Sequence, residues 1–338
     1  MATIKDVAKE AGVSVATVSR VLNKSPKASK ASTDLVNKAM KQLGYRPNAA
    51  ARALVNQSNQ TIGILVCDVS EPFFGCMVKA IDKVAHEHNK HILIGNGYHN
   101  AEDEKKAIEL LINNGCEALV VHSKALSDAD LIAYANEIKG LVIINRHIPE
   151  LAERCISLDN FRGSYLATEL LIRNGHHKIA CIASNHQIDD AKDRVEGYLA
   201  ALKAHDIELT SSYIEYAEPY SEGGESAMTN MLTKSIDMTA VVCYNDYMAA
   251  GALSVAKENG IQSPNKLSIV GFDDGIIAKY VSPRLTTVRY PVELMAQKAA
   301  ELALTLAKGI DSSEQAFCFS PTLVQRDSVM QNKAALVA

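Results

Sequence analysis

Polar side chains in this 338-residue sequence follow several apolar runs, each at the point where the run ends. A sugar hydroxyl can donate to a carboxylate and accept from an amide or a guanidinium, and an aromatic ring can cover the C–H face of a sugar. The pattern therefore predicts a site for a neutral polyol such as a sugar. The residues with this chemistry are Asp68, Phe73, Asn145, Asp159, Arg194, Asn245 and Asp273.

Signals for catalysis or metal binding are weak. Asp246 and Asp274 adjoin the polar set but fit the role of loop caps or helix N-caps equally well. The stretch GNGYHN lacks the third glycine of a dinucleotide site, and no G-x-S-x-G elbow is present. The histidines have no metal-ligand spacing, and the seven cysteines are scattered through apolar runs, which indicates core thiols. We expect no catalytic residue, no metal and no cofactor, and hence no enzyme.

Apolar runs and amphipathic segments alternate from Thr61 onward. Continuous apolar strands between helices imply parallel sheets covered on both faces, and the series is long enough for two sheets. Ligands in this architecture bind off the carboxyl ends of the strands, where the polar residues stand. Helices are predicted over residues 73–88, 102–114, 163–174 and 190–205, and from about Ser127. Strands are predicted in TIGILVCDV, KHILIGN, EALVVHS, GLVIINR, CISLDN, KIACIAS, AVVCYN, LSIVGFD and TTVRYP.

The N-terminal segment differs from the rest in charge. Residues 1–60 contain ten basic and three acidic residues, a net charge of +7, whereas the remainder carries −11. A small basic segment on an acidic body is typical of a segment that binds a polyanion. The sequence has no apolar stretch of about 18 residues and no signal-peptide core, so we expect no membrane span and a cytoplasmic location.

The basic segment begins with two short amphipathic helices. Thr3 and Asp6 form a variant of the capping box for the first helix, and Gly12 ends that helix with a left-handed conformation. Ser14 then caps a second helix. Two helices joined by a glycine turn predict a helix-turn-helix. The inner face of the second helix comprises Val18, Val21 and Leu22.

A third helix and a short fourth segment follow. Ser32 is the predicted cap of the third helix, and Gly44 is its predicted end. Asn48 can cap a marginal helix in AAARALV, which precedes a polar linker at residues 56–60. Leu54 is a candidate wedge for a minor-groove base step. The predicted inner stripe of the third helix comprises Leu35, Val36, Ala39, Met40 and Leu43.

The exposed face of the second helix offers groups that suit a major groove. Arg20 can donate twice to guanine, and Val15 and Ala16 can contact thymine methyl groups. Thr17 and Ser19 can donate to phosphates. A solvated helical hairpin is the alternative interpretation, and the +7 charge disfavours it.

The order ATIKDVAKEAGVSVATVSRVLN, then LGYRPNAAARAL, resembles the Lac repressor family of transcription regulators. The resemblance implies that Val15, Ala16 and Arg20 read bases and that Leu54 intercalates at the centre of a palindrome. The Val15–Ala16 pair resembles the galactose-regulating branch of that family. The other residues predicted to contact DNA are Thr3, Ser14, Thr17, Ser19, Asn23, Tyr45, Asn48 and Ala51.

The remaining chain resembles the sugar-binding core that this family shares with periplasmic binding proteins. DVSEPFF, LVIINR, SLDN, AVVCYND and SIVGFDD are similar to family stretches, and IGNGYHNAE and VHSKALSD are similar to the galactose branch. The resemblance implies effector contacts at the seven residues of the polar set and at Tyr290. Only nine residues follow SPTLVQRDSV, without a heptad repeat, so a homodimer is expected rather than a tetramer.

The expected fold is an all-α helix-turn-helix domain with a hinge helix, followed by an α/β periplasmic-binding-protein-like core of two doubly wound parallel-sheet subdomains. The DNA-binding domain spans residues 1–46, the hinge helix and linker 47–60, and the effector-binding and dimerisation core 61–330. The subdomains comprise roughly residues 61–158 plus 291–318, and 159–290 plus 319–330.

The predicted function is repression of galactose transport or utilisation genes by a dimer that binds a palindromic DNA operator and is released by D-galactose. One alternative keeps the repressor but replaces the effector with ribose or a purine corepressor. Another is a cytoplasmic sugar-binding module or enzyme whose basic segment is incidental. Deleting residues 1–60 would leave the function of such a module intact.

Overall fold

The structure is a computed structural model that describes residues 2–22, 25–45, 60–310 and 317–332. The chain divides into two compact units, residues 1–59 and 60–338. The predicted hinge helix, and with it Asn23, Asn48, Ala51 and Leu54, lies outside the described residues. Within the described ranges, no helix is both long enough and apolar enough to cross a membrane.

The smaller unit contains α1 (Ile4–Ala11), α2 (Val15–Leu22) and α3 (Lys30–Leu43). The capping box is confirmed, because the Thr3 hydroxyl accepts from the Asp6 amide while the Asp6 carboxylate accepts from the Thr3 amide at 2.8 Å. Gly12 and Gly44 end α1 and α3 with φ of 65° and 59°, as predicted. The Ser14 hydroxyl accepts from the Thr17 amide at 3.1 Å and so caps α2.

Two predictions for α3 are wrong. The cap is Ser29, whose hydroxyl accepts from the Ser32 amide at 3.1 Å, so the helix begins at Lys30. The two serines are one turn apart, and the earlier one gives the longer helix. Leu35 and Leu43 are exposed rather than inward-facing, because the three short helices enclose only a small core. That core consists of Val7, Ala8, Ala11, Val18, Val21, Val36 and Ala39.

The larger unit alternates strands and helices, and the apolar strand segments are buried because helices cover both faces of each sheet. In chain order, the elements are β1 (Thr61–Val66), α4 (Pro72–Glu87), β2 (His91–Asn96), α5 (Ala101–Asn113), β3 (Ala118–Val121), α6 (Asp128–Glu137), β4 (Gly140–Ile144), a 3₁₀ segment (Pro149–Arg154), β5 (Cys155–Leu158), α7 (Asn160–Arg173), β6 (Ile179–Ser184), α8 (Asp189–Ala204), a 3₁₀ turn (Ser211–Tyr213), β7 (Ile214–Ala217), α9 (Ser221–Thr233), β8 (Ala240–Cys243), α10 (Asp246–Glu258), β9 (Ser268–Asp273), α11 (Ile276–Tyr280), β10 (Thr286–Arg289), α12 (Val292–Ala307), β11 (Phe317–Phe319) and β12 (Thr322–Val324).

The strands form two six-stranded sheets. The first has the order β11-β5-β4-β3-β1-β2 and is parallel throughout, with Ile62 opposite both Ile92 and Ala118. The second has the order β12-β10-β9-β8-β6-β7, and only β12 runs antiparallel to its neighbour. The chain passes between the two sheets three times, after β5, β10 and β11. This architecture confirms the predicted fold class.

The predicted strands all occur, and three strands were not predicted. In β7, Glu215 interrupts the apolar sequence, and β11 and β12 are only three residues each, too short for an apolar run to indicate a strand. Helix α7 begins three residues before the predicted Gly163, because the Asp159 carboxylate accepts from the Arg162 amide at 2.8 Å and starts the helix there.

Candidate functional site

A cavity of about 250 Å³ lies between the carboxyl ends of the strands of the two sheets. Its walls come from loops after β1 to β4 on one side and after β6 to β10 on the other. Strand ends of parallel sheets meet at one edge, which is why residues far apart in sequence converge here. Six of the eight predicted effector residues line the cavity: Phe73, Asn145, Arg194, Asn245, Asp273 and Tyr290.

The structure places the other two predicted residues outside this cavity. Asp68 is half-buried, and its carboxylate accepts from the Ser70 amide at 2.8 Å, which holds its pKa below the ordinary value. Asp159 caps α7 and borders a neighbouring depression that shares Asn145 and Asp190 with the cavity. Both carboxylates therefore accept from nearby backbone amides and do not line the cavity itself.

Arg194 is the most firmly held group of the cavity wall. Its Nη1 donates to the carbonyl oxygen of Tyr244 at 2.7 Å, and its Nε donates to Oδ1 of Asn160 at 3.0 Å. The guanidinium lies 3.6 Å from the ring centroid of Phe272 and 3.9 Å from the Asp273 carboxylate. A buried guanidinium with this many partners is fixed in plane and presents its remaining donors in one direction.

Three cavity residues have a backbone conformation that non-glycine residues rarely adopt. His99, after β2, has φ of 51°, Asn145, directly after β4, has φ of 60°, and Asp273, at the end of β9, has φ of 110°. Such strain tends to persist at binding sites, where the fold holds a side chain in a required direction. Burial raises the pKa of Asp273 to about 7, although the nearby Arg194 cation opposes the rise.

Unpaired polar atoms face the cavity. The Oδ1 atom of Asn145 and the hydroxyl of Tyr290 are buried and have no hydrogen-bond partner among the described residues. Buried polar groups are nearly always paired, so atoms like these indicate a ligand that pairs with them. The Tyr290 ring also packs edge-on against Phe73, with 5.0 Å between the centroids, which makes an apolar wall beside the polar atoms.

Asn245 differs from Asn145 because both polar atoms of its side-chain amide are hydrogen-bonded within the protein. Its Oδ1 accepts from the Met248 amide at 2.8 Å as the cap of α10, and its Nδ2 donates to the Pro219 carbonyl at 2.7 Å. Of the two acids considered as loop or helix caps, neither caps a helix, but Asp246 caps a loop. The Asp246 carboxylate accepts from the Thr287 hydroxyl at 2.6 Å and from the Gly275 amide at 2.8 Å. Asp274 instead forms ion pairs with Arg289 and Arg326.

Sequence reasoning missed several residues of the cavity wall. His122 and Lys124 follow β3, so the rule that identified the other strand-end residues applies to them as well. Burial lowers the pKa of His122 to about 3, which keeps its imidazole neutral, and its Nδ1 has no partner in the described part of the chain. Asp190 lies one turn before Arg194 on α8 and therefore on the same helix face. His99 and Glu71 also line the cavity.

The smaller unit presents the predicted DNA-reading face on α2. Val15, Ala16 and Arg20 are exposed, whereas Thr17 and Ser19 are half-buried. The Thr17 hydroxyl lies 2.9 Å from the Ser14 hydroxyl, so it takes part in the cap of α2. The Thr3 hydroxyl donates to the Asp6 carboxylate at 2.8 Å, and Tyr45 packs against the small core.

Comparison with known proteins gives matches over the whole chain. Residues 3–48 match the model for bacterial regulatory proteins of the LacI family, and residues 59–309 match the model for periplasmic binding proteins and the sugar-binding domain of the LacI family. The transcriptional regulator GalR of Escherichia coli is 54% identical over 97% of this chain and 96% of its own length. The transcriptional regulator GalS of Salmonella typhimurium is 52% identical over 100% of this chain and 99% of its own.

A solved structure is similar to this chain in fold as well as in sequence. The Lac repressor dimer bound to operator and an anti-inducer is 26% identical, covers 97% of this chain and 99% of its own, and has a TM-score of 0.84. The family model for the DNA-binding part matches the residues that form the helix-turn-helix. The model for the sugar-binding part matches the residues that form the two-sheet core and its cavity. The chain belongs to the LacI family of bacterial transcription regulators, with a DNA-binding unit and a sugar-binding core.

Proposed function

We propose that this protein is a dimeric repressor of galactose transport or utilisation genes, and that D-galactose releases it from a palindromic operator. The observation that carries the proposal is the cavity, in which unpaired polar atoms of Asn145 and Tyr290 lie beside the aromatic wall of Phe73. The similarity to GalR and GalS supports galactose as the sugar. Operator DNA is cytoplasmic, and we assign the protein to that compartment.

The charges of the cavity suit a neutral ligand. The cations of Lys124 and Arg194 face the carboxyl groups of Asp190 and Asp273. Burial raises the pKa of Glu71 above its ordinary value, and the His122 imidazole, with a pKa of about 3, is neutral. An anionic ligand would bring an unbalanced charge into this buried site at a high desolvation cost, whereas a sugar brings none.

The proposed contacts divide the sugar between polar and apolar walls. Asp273 accepts from one hydroxyl, and the free donors of Arg194 donate to the same or a neighbouring hydroxyl. Asn145 Oδ1 accepts from another hydroxyl, and the Phe73 ring covers the C–H face. Asn245 contributes mainly by holding the start of α10, because both atoms of its amide are already paired.

The DNA-binding unit supplies operator recognition. Arg20 reads guanine, Val15 and Ala16 contact thymine methyl groups, and the predicted hinge helix places Leu54 in the minor groove. Galactose acts because it binds one arrangement of the core more tightly than the other, and that difference in affinity is transmitted to the hinges. We propose that the galactose-bound arrangement separates the two hinges of the dimer.

We propose that α11 contributes to the dimer interface. Ile276 is 61% exposed and Tyr280 is 81% exposed, which leaves adjacent large apolar side chains uncovered on one helix. Exposed apolar patches mark interaction surfaces more often than isolated exposed residues do. The Lac repressor structure that resembles this chain is a dimer, which makes a second copy the proposed occupant.

Calorimetric titration of the full-length chain with D-galactose, glucose, ribose and hypoxanthine tests the effector. We expect heat with galactose and none with glucose or hypoxanthine at equal concentration. Binding of hypoxanthine or ribose instead of galactose would overturn the galactose assignment and keep the family. A gel-shift titration with and without galactose then tests release, because galactose should weaken operator binding, and stronger binding would identify a corepressor.

A further inference from the structure

The Glu104 side chain, on α5, is buried beneath the loop that follows β3. Only 1% of Glu104 is exposed. Its carboxylate accepts from the Ser123 hydroxyl and from three consecutive backbone amides, those of Lys124 at 3.2 Å, Ala125 at 3.2 Å and Leu126 at 3.1 Å. A single carboxylate therefore satisfies three consecutive backbone donors of the loop.

This arrangement leaves the loop little freedom. A buried carboxylate needs several donors, and glutamine at this position would replace one of the two acceptor oxygens with an NH2 group, which cannot accept from these amides. The Glu104 stem also packs against Gly97, where an added Cβ atom would lie 2.5 Å from the Glu104 Cγ atom. The carboxylate thus fixes the loop by hydrogen bonds. The close packing of the Glu104 stem on Gly97 restricts where the carboxylate can lie.

The loop carries Lys124 across the cavity to the other sheet. The Lys124 Nζ atom lies 3.1 Å from Oδ1 of Asp190 on α8, and it donates to the Asn145 carbonyl at 2.6 Å. The side chains of Lys124 and Asp190 are 3% and 7% exposed, so this ion pair is buried. Breaking a buried pair by removing one partner leaves an uncompensated charge, which is strongly unfavourable.

Asp190 in turn faces the effector cavity. Its Oδ2 accepts from the side-chain Nδ2 of Asn145 at 3.4 Å and from the Tyr244 hydroxyl at 3.3 Å. Burial by itself would raise the pKa of Asp190, but the cations of Lys124 and Arg194 outweigh it and hold the pKa below the ordinary value. The carboxylate therefore stays ionised because Lys124 reaches it.

We propose that Glu104 is a positioning residue for effector binding, which acts by fixing the loop so that Lys124 joins the two cavity walls at Asp190. The effector readout rests on the proposed function, whereas the bridge between the walls does not. The bridge is the buried ion pair among several contacts that join the walls, which include the Phe73–Tyr290 ring contact and the hydrogen bond from Tyr220 to Glu71. Without the bridge, the arrangement that binds the effector becomes less populated and the observed affinity falls.

The test is a double-mutant cycle in the full-length chain with Glu104→Gln, Lys124→Met and the double variant. Galactose affinity is measured by calorimetry. We expect Glu104→Gln to weaken binding about tenfold, and to add less than about twofold when Lys124 is already Met. Equal effects in both backgrounds would overturn the proposal, because Glu104 would then act independently of Lys124.

A second experiment needs no ligand. It measures hydrogen–deuterium exchange of the backbone amides of residues 186–194, which lie on the cavity wall opposite Lys124. Glu104→Gln and Lys124→Met should each speed exchange there, with no further increase in the double variant. Unchanged exchange on that wall in either single variant would overturn the proposal. If the wild-type chain does not bind galactose, the proposed effector is wrong, and this experiment still decides on the bridge.

Two further variants control for folding. Glu109→Gln removes another carboxylate from α5, one that accepts from the Tyr134 hydroxyl at 3.0 Å away from the cavity. It should leave galactose affinity and exchange on the far wall unchanged. If Glu104→Gln fails to fold, Ser123→Ala removes one bond to the same carboxylate and carries the cycle with a smaller effect, whose complete absence would count against the proposal.

Discussion

The protonation state of Asp273 gives a prediction for the effector affinity. Burial raises the pKa of this carboxyl to about 7, and the Arg194 guanidinium 3.9 Å away opposes the rise. A hydroxyl that donates to the carboxylate stabilises the ionised form, and so does the paired guanidinium. Because the effector binds the ionised form, we expect its affinity to increase as the pH rises from 6 to 8.

The magnitude follows from the pKa. A carboxyl with a pKa of about 7 is about 9% ionised at pH 6 and about 91% ionised at pH 8, so the affinity should rise about tenfold, or about 1.4 kcal/mol. Binding at pH 7 should release about half a proton, because half of the empty sites are protonated there. The increase should level off above pH 8, where ionisation is nearly complete.

Calorimetry at pH 6, 7 and 8, in two buffers that differ in ionisation enthalpy, measures both quantities. Asp273→Asn is the matched control and should bind more weakly with little pH dependence. The other charged groups that face Asp273 are Arg194, Asp190, Glu71 and the buried carboxyl of Asp246, and all of these residues are retained in the control. A wild-type affinity that is flat or falls with pH would refute the reasoning, as would a rise that persists in Asp273→Asn.

The remaining predictions concern DNA binding and assembly. Arg20→Ala should reduce discrimination between operator and non-operator DNA by about 5- to 150-fold in gel shifts, whereas a loss confined to overall affinity and its salt slope would make Arg20 a phosphate contact. Leu54→Ala should weaken operator binding at least several-fold without changing galactose affinity, and unchanged operator affinity would rule out the wedge. Tyr280→Lys should shift the chain from dimer to monomer in analytical ultracentrifugation at micromolar concentration, because it places a charge on an exposed apolar helix. An unchanged dimer would place the interface elsewhere.

Local signals predicted the elements well. The capping box at Thr3 and the left-handed glycines at 12 and 44 depend only on neighbouring residues, and all are present. The cap of α3 was misplaced because Ser29 and Ser32 offer the same chemistry one turn apart. The exposure of Leu35 could not be predicted, since it depends on how much core the three short helices enclose.

The cavity was partly predictable for a topological reason. Residues at the carboxyl ends of parallel strands converge regardless of their separation in sequence, so six of eight predicted residues line the cavity. The ion pair of Lys124 with Asp190 was not predictable in this way. It joins a loop of one sheet to a helix of the other, and only the packing of the two sheets brings these residues within 3.1 Å.

Asn145 and Asn245 show what sequence position leaves undetermined. Both follow a buried strand and look equivalent as candidates for sugar binding. The Asn245 amide is saturated by a backbone amide and a carbonyl, whereas the Asn145 Oδ1 atom is buried and unpaired among the described residues. An unpaired buried acceptor is tolerated only where something else completes it, so the assignment of a ligand contact depends on which polar atoms the fold has left unused.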